Sequence, residues 1–277
     1  MEYEVAVHDS RVFTDSGAVP DNVTTDRYAK LLKQANLWDS CVFFADAARG
    51  VKKDGNEYVS KLYDLKANAD CAQTTGTRQP KYNTDGSLQY DGGDFIISNT
   101  LSVDNPIRNI TTNMTVAISV SLDASSTTER IIMCRWGIGS NLSTCLWLLE
   151  VNTSKKIRVI ISDGITSGFN KSFFCNNTIT SGFHRIAFTY DGNAMDGSVH
   201  GVLKLYVDGV LQSVTKTKNI NLSTLRSIDR SVQVSGMNNT TSSLLKNGEK
   251  TALPTIYNAT LTDEQILWDY DNILVEA

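Results

Sequence analysis

Cysteine, histidine and glutamate are all scarce in this 277-residue chain, and each shortage closes a route. The five cysteines, Cys41, Cys71, Cys134, Cys145 and Cys175, are irregularly spaced, with no CxxC pair and no Cys/His cluster of zinc type. They are expected to stay reduced and to pack as small hydrophobes. Three histidines, His8, His184 and His200, offer little for a nucleophilic triad, and no Gly-x-Ser-x-Gly, phosphate loop or dinucleotide fingerprint occurs. Of the eight glutamates only Glu2 and Glu4 stand close together, so the spaced carboxylate pair of a glycosidase is missing. The net charge is −4 with lysine and arginine scattered, which argues against a nucleic-acid partner. No apolar run approaches the roughly 20 residues of a membrane-spanning helix, and no membrane insertion is expected. The opening Met1-Glu2-Tyr3-Glu4-Val5 is acidic and has no apolar centre, so it does not read as a signal peptide. The chain is expected to fold in the cytoplasm in which it is made. Asn-X-Ser/Thr triplets, as at Asn109, Asn113, Asn141 and Asn258, then reflect only a composition rich in strands and loops.

What the chain has in abundance is strand pattern. Residues 183–190 alternate, with Arg185, Ala187 and Thr189 on one side and His184, Ile186, Phe188 and Tyr190 on the other. Asp191-Gly192 is expected to end that strand, since glycine accepts positive φ at no cost. A second alternating run spans 202–212, and Asp208-Gly209 inside it predicts a two-residue hairpin turn of type I′. Further strands are predicted over 114–122, 130–136, 144–151, 156–162, 231–235 and 252–259. Tight turns are predicted at 137–141 and at Asp163-Gly164, and Pro254 places the last strand near an edge or a bulge. Residues 166–182 read as loop, and 237–251 as the longest flexible loop. A polar arm over residues 1–23 leads to a short amphipathic helix, capped from Thr24-Thr25-Asp26, with the stripe Tyr28, Leu31, Leu32 and Ala35. A second helix, capped by Thr262-Asp263-Glu264, holds Ile266, Leu267, Tyr270, Ile273 and Leu274.

Two resemblances rest on these passages. "FHRIAFTYDG" followed by "LKLYVDGVLQ", with the C-terminal "IYNATLTDEQI", resembles the laminin G-like, concanavalin A-like jelly-roll domains over roughly residues 37–275. The resemblance implies an all-β, two-sheet antiparallel jelly-roll sandwich with a short N-terminal helix and a C-terminal helix. The arm and first helix then occupy 1–36 and the jelly roll 37–277. "Y..LLKQANLWDSCVFFADAA", "KLYDLKANADC" and "YNTDGSLQYDGGDFI" resemble a module of bacteriophage virion proteins, in which a helix, a tryptophan and an apolar strand precede such a sandwich.

The fold hosts lectins, hydrolases and purely structural domains, so function has to be read from the site. Its glucanases carry E-x-D-x-E or E-x-D-x-x-E, which this chain lacks. Glu150 stands alone and reads as a strand-end carboxylate facing water. No enzymatic activity is expected, and no cofactor. Some laminin G-like domains bind calcium, and Asp91, Asp94, Asp163, Asp191 and Asp196 lie near turns, but aspartate serves turns by itself and no metal ligand is assigned. Sugar recognition wants an exposed ring beside polar groups. Trp136 beside Arg135 is the first candidate and Trp147 the second, while Trp38 and Trp268 read as helix anchors and His184 as structural. The reading is a non-enzymatic virion structural protein, a capsid decoration or a tail or fibre component, located in the virion and held to other virion proteins through the N-terminal arm. The alternative is a lectin module that recognises host-surface or mucosal glycans.

Overall fold

A computed structural model describes residues 27–48, 50–54, 57–136, 145–163, 170–236 and 243–273. The arm with its capping residues Thr24, Thr25 and Asp26, the turn at 137–141, Gly164, Leu274 and residues 237–242 of the long loop lie outside the described residues. Helix α1 (Arg27–Gln34) is followed by β1 (Cys41–Phe44), β2 (Val51–Lys53), β3 (Val59–Leu62), β4 (Cys71–Ala72), β5 (Lys81–Tyr82), β6 (Leu88–Gln89) and β7 (Ile96–Ser98). Then come β8 (Asn113–Leu122), β9 (Arg130–Arg135), β10 (Trp147–Val151), β11 (Ile157–Ile161), β12 (Lys171–Cys175) and β13 (Gly182–Asp196). The chain closes with β14 (Val199–Val207), β15 (Val210–Leu211), β16 (Val214–Asn219), β17 (Gln233–Val234), β18 (Lys250–Tyr257) and helix α2 (Asp263–Ile273).

The described strands form two antiparallel sheets. One has the order β15-β14-β13-β8-β18-β6-β5, with β1 also paired to β18; the other runs β16-β12-β11-β10-β9-β17-β7-β4-β3-β2. The all-β sandwich with a helix at each end is therefore present. Between the sheets, Val116, Ile118, Val120, Ile186, Phe188 and Leu205 of the first meet Ile132, Trp147, Leu149, Val159 and Phe173 of the second. Trp147 meets Phe188 edge-on across this gap, with ring centroids 5.8 Å apart.

The other face of the first sheet is built for helices. Ala187 pairs with Ala117, and these small side chains leave room for α1 and α2. Leu32, Leu37, Phe44, Tyr206, Leu253, Tyr257, Ile266 and Ile273 close over them in a second apolar cluster. Arg185, on the same side of β13 as Ala187, is 1% exposed and reaches Asp269 of α2, Nε to Oδ2 at 2.7 Å and Nη2 to Oδ1 at 3.1 Å. Its Nη1 donates to the Leu253 carbonyl, and the Tyr257 hydroxyl also donates to Asp269. Helix α2 opens on a capping box: Gln265 N–H donates to Thr262 Oγ1, and Thr262 N–H to Gln265 Oε1.

Several expectations need correction. Residues 171–175 form β12 rather than loop, with Phe173 in the core and Ser172 and Phe174 turned outward. Polar neighbours hide so short an alternation. The unanticipated β16 puts Lys216 and Lys218 on one margin of the larger sheet, and β2 puts Lys52 and Lys53 on the other, which discourages pairing with a foreign strand. Strand β13 does not stop at Asp191 but continues to Asp196 through a register shift. Gly192 has no positive φ; it is needed because a Cβ there would collide with the Ser223 carbonyl, where the chain crosses the sheet margin. Two expectations hold: Pro254 sits at a bulge, between Ala252 and Thr255, though in an interior strand, and all five cysteines are buried and free.

The Asp208-Gly209 turn is as anticipated. Val207 pairs with Val210, and the two turn residues have φ of 52° and 75°, both positive as type I′ requires. A Cβ at Gly209 would lie 2.9 Å from Leu267 Cδ1 and 3.3 Å from Leu267 Cα. Gly209→Val is expected to lower stability by about 1–3 kcal/mol through backbone strain and this clash. An unchanged melting temperature would contradict the assignment.

Candidate functional site

The residues first considered for sugar binding do not come together at a surface. Trp147 is 1% exposed and committed to the inter-sheet core, so it cannot stack on a ligand. Arg135 is equally buried and donates to the carbonyls of Ile107, Ile228 and Arg230, tying three segments to β9. Burial, helped by nearby Arg108, lowers its pKa to about 9. Trp136 is half-buried against Ile131, Cys134, Leu148 and Ile160. Strand alternation shows two faces for each of these residues; it does not tell which face is covered.

Glu150 also departs from expectation, being 2% exposed instead of facing water. Its Oε1 accepts from Arg158 Nη1 at 2.9 Å, and the Arg158 guanidinium lies 4.8 Å from the Phe174 ring centroid. Burial and the charge of Glu129 raise the Glu150 pKa to about 7 against the pull of Arg158. Asp91 and Asp94 serve their own turn: Asp94 Oδ2 accepts from Asp91 N–H and Asp91 Oδ1 from Gly93 N–H. Burial and the neighbouring Asp91 raise Asp94 to about 7. Among the described residues no group of three or more His, Cys, Asp or Glu is placed to hold a metal ion. Asp64, in the "DLKANA" passage, is 1% exposed and accepts four backbone N–H groups, from Phe44, Lys66, Asn68 and Ala69, pinning β1 to that turn.

His184 has a structural post. Its Nδ1 lies 2.7 Å from Asp208 Oδ2 and its Nε2 lies 3.0 Å from Thr180 Oγ1, so it links the start of β13 to the hairpin turn. The Asp208 hydrogen bond raises its pKa above 6.5, with partial burial opposing. The protonated ring therefore favours the folded state. Its contribution is complete below about pH 6.5 and is lost as pH rises through the elevated folded value. The melting-temperature gap between the wild type and His184→Gln should be wider at about pH 5.5 than at about pH 8.5. A gap independent of pH would refute the link.

A groove of about 430 Å³ opens on the outer side of the first sheet, where β13 and β14 meet the N-terminus of α2. Register explains its lining: Thr189 pairs with Lys204 and Asp191 with Val202, so all four point to one face. Thr260, Thr262, Asp263 and Glu264 close the other wall. Asp263 Oδ1 accepts from Lys204 Nζ and from the Tyr206 hydroxyl, each at 2.8 Å, and the lysine hydrogen bond lowers the Asp263 pKa. Asp191 Oδ1 accepts the N–H groups of Asn193 and Ala194, which shapes the bulge. Thr260 Oγ1 donates to the Tyr190 carbonyl. Hydroxyls, carboxylates and one lysine in an open cleft suit a polyhydroxylated ligand. Sequence reading missed this site because its walls are about 60 residues apart in the chain; the shared parity of Thr189 with Asp191 and of Val202 with Lys204 was the available sign.

Comparison with solved structures bears on the fold. The receptor-binding domain of botulinum neurotoxin C/D mosaic serotype aligns at a TM-score of 0.59 and 17% identity, over 84% of this chain and 51% of that one. The chain shares its fold with the matched part of that receptor-binding domain. The serotype D ligand-binding domain in complex with N-acetylneuraminic acid aligns at a TM-score of 0.56 and 16% identity, over 84% and 51%. The serotype D/C VPI 5993 binding domain aligns at 0.57 and 12%, over 84% and 52%. This chain thus spans about half the length of the toxin domains it matches. No protein-family model matches the sequence, and no curated protein does. None of these three neighbours is a virion protein.

Proposed function

We propose that this chain is a non-enzymatic glycan-recognition domain whose binding site is the groove between β13, β14 and α2. The groove carries the reading: it is the right size for a short oligosaccharide and its walls are hydroxyl, carboxylate and ammonium groups. The likeness in fold to receptor-binding domains, one of them solved with N-acetylneuraminic acid, supports it. Glycan-array binding tests the proposal, with Ala194→Trp as the control because Ala194 lines the groove and is only half-buried. Binding lost in that variant supports the site; binding that survives it, or no binding to any glycan, refutes it. The non-enzymatic part rests on the absence of the E-x-D-x-E and E-x-D-x-x-E motifs from the sequence and on the commitment of Glu150 to Arg158. Release of reducing sugar from a polysaccharide panel would overturn it.

The setting we propose is a virion surface, on the resemblance of the passage around Trp38 to phage virion modules, with residues 1–36 as the attachment segment. The laminin G-like assignment of residues 37–277 belongs to the same proposal. Electron cryomicroscopy of phage particles assembled with and without this chain tests it; identical maps would reject it.

A further inference from the structure

The groove is lopsided in charge, and this bears on which glycan it takes. The inference rests on the reading of the groove as a glycan site. Its charged lining is three carboxylates, Asp191, Asp263 and Glu264, against one cation, Lys204. Lys204 is already engaged, with Nζ 2.8 Å from Asp263 Oδ1. Glu264 is held as an anion by its own backbone N–H and the Thr262 hydroxyl, which lower its pKa. Asp191 and Asp263 each use only Oδ1 among the described hydrogen bonds, so the Oδ2 of each is left to face solvent or ligand. The positive end of α2 does not restore balance, because Thr262 and Gln265 cap it and Asp263 and Glu264 occupy its first turn.

Spacing turns this excess of acid into a selective feature. With Thr189 opposite Lys204 and Asp191 opposite Val202, Asp191 and Lys204 are diagonal neighbours about 7–8 Å apart, with their Cβ atoms somewhat closer. The Asp191 carboxylate and the Asp263–Lys204 pair therefore bracket a space on the scale of one sugar ring. A ring bearing an ammonium group would donate to Asp191 Oδ2 or Asp263 Oδ2 while its hydroxyls meet Thr260 and Thr262. A ring bearing a carboxylate would meet like charge on both sides, with its one potential partner already bound.

We propose that the groove selects glycans carrying an unsubstituted amino group over N-acetylated or acidic ones. The test is titration calorimetry at about pH 6, where such an amine is protonated, with fully deacetylated glucosamine tetramer, its fully N-acetylated counterpart and sialyllactose. The deacetylated tetramer should bind about fivefold to tenfold more tightly than the N-acetylated one, and added salt should shrink the gap. Asp191→Asn, which keeps the Oδ1 that shapes the bulge, should lower the ratio of the deacetylated to the N-acetylated tetramer's affinity toward one, and an unchanged ratio would overturn the selectivity; Asp263→Asn repeats the test from the other wall. Circular dichroism of each variant confirms folding. If the N-acetylated tetramer or sialyllactose binds as tightly or more tightly, and Ala194→Trp abolishes that binding, the selectivity is overturned while the groove stands as a glycan site. If no tetramer or sialyllactose binds, or Ala194→Trp changes nothing, both readings fall.

Discussion

Replacing Asp269 with alanine should lower the free energy of unfolding by about 3–5 kcal/mol, the cost of leaving a buried charge without its counterion. Asp269 and Arg185 are each 1% exposed at the side chain and make a two-pronged contact. The guanidinium also holds the Leu253 carbonyl and approaches Thr255 Oγ1, so one side chain joins β13, β18 and α2. Without Asp269 the cation stays trapped under the helix, and water must enter or α2 must lift. Urea unfolding followed by tryptophan fluorescence and circular dichroism measures the loss. A change below about 1 kcal/mol would mean that the pair is solvated in solution. The double variant Arg185→Met with Asp269→Leu should recover about half of the deficit or more, because it removes both charges from the interface.

A loss of similar size, about 3–5 kcal/mol, is expected for Glu249→Gln at the opposite end of the sheet. Arg130 is 0% exposed and Glu249 1%, with Nη1 to Oε1 at 2.7 Å. Glu249 Oε1 also accepts Asp123 N–H, and Oε2 accepts Lys246 N–H. A glutamine amide cannot replace both oxygens as acceptors and brings no charge. Arg130 has little in reserve: its Nε and Nη2 have no hydrogen-bond partner among the described residues. The clearest sign would be a lower denaturation midpoint with the denaturant slope unchanged. A midpoint equal to that of the wild type would sink the idea that this pair anchors the end of β8 to β9.

Both pairs show where sequence reading reached and where it stopped. Asp208-Gly209 and the cap at Thr262-Asp263-Glu264 could be read directly, because a turn and a cap are made by neighbouring residues. Alternation likewise separated Arg185, Ala187 and Thr189 from Ile186 and Phe188. It could not tell that Arg185 would be covered, since its partner Asp269 lies 84 residues away. The same gap misplaced Glu150, whose cover depends on Arg158 of the next strand, and it promoted Trp147 and Arg135 as ligand contacts. At Gly192 the residue was rightly singled out but for another reason: the constraint is a passing carbonyl, which local sequence does not encode. The groove needed both kinds of information, face parity within β13 and β14 and the docking of α2.

Strand β18, which follows every other described strand in sequence, is an interior strand, with β8 on one side and β1 and β6 on the other. The other described strands of the first sheet are therefore all made before that sheet can close. Until residues 250–257 emerge, β8 has one margin bare and β1 lacks its strand partner, both being rich in apolar side chains. Pairing across more than 100 residues of sequence is slow, and an open margin invites other chains during the wait. Production of this protein should thus depend on chaperone supply during synthesis, and stalled translation products should be aggregation-prone fragments rather than partly working domains.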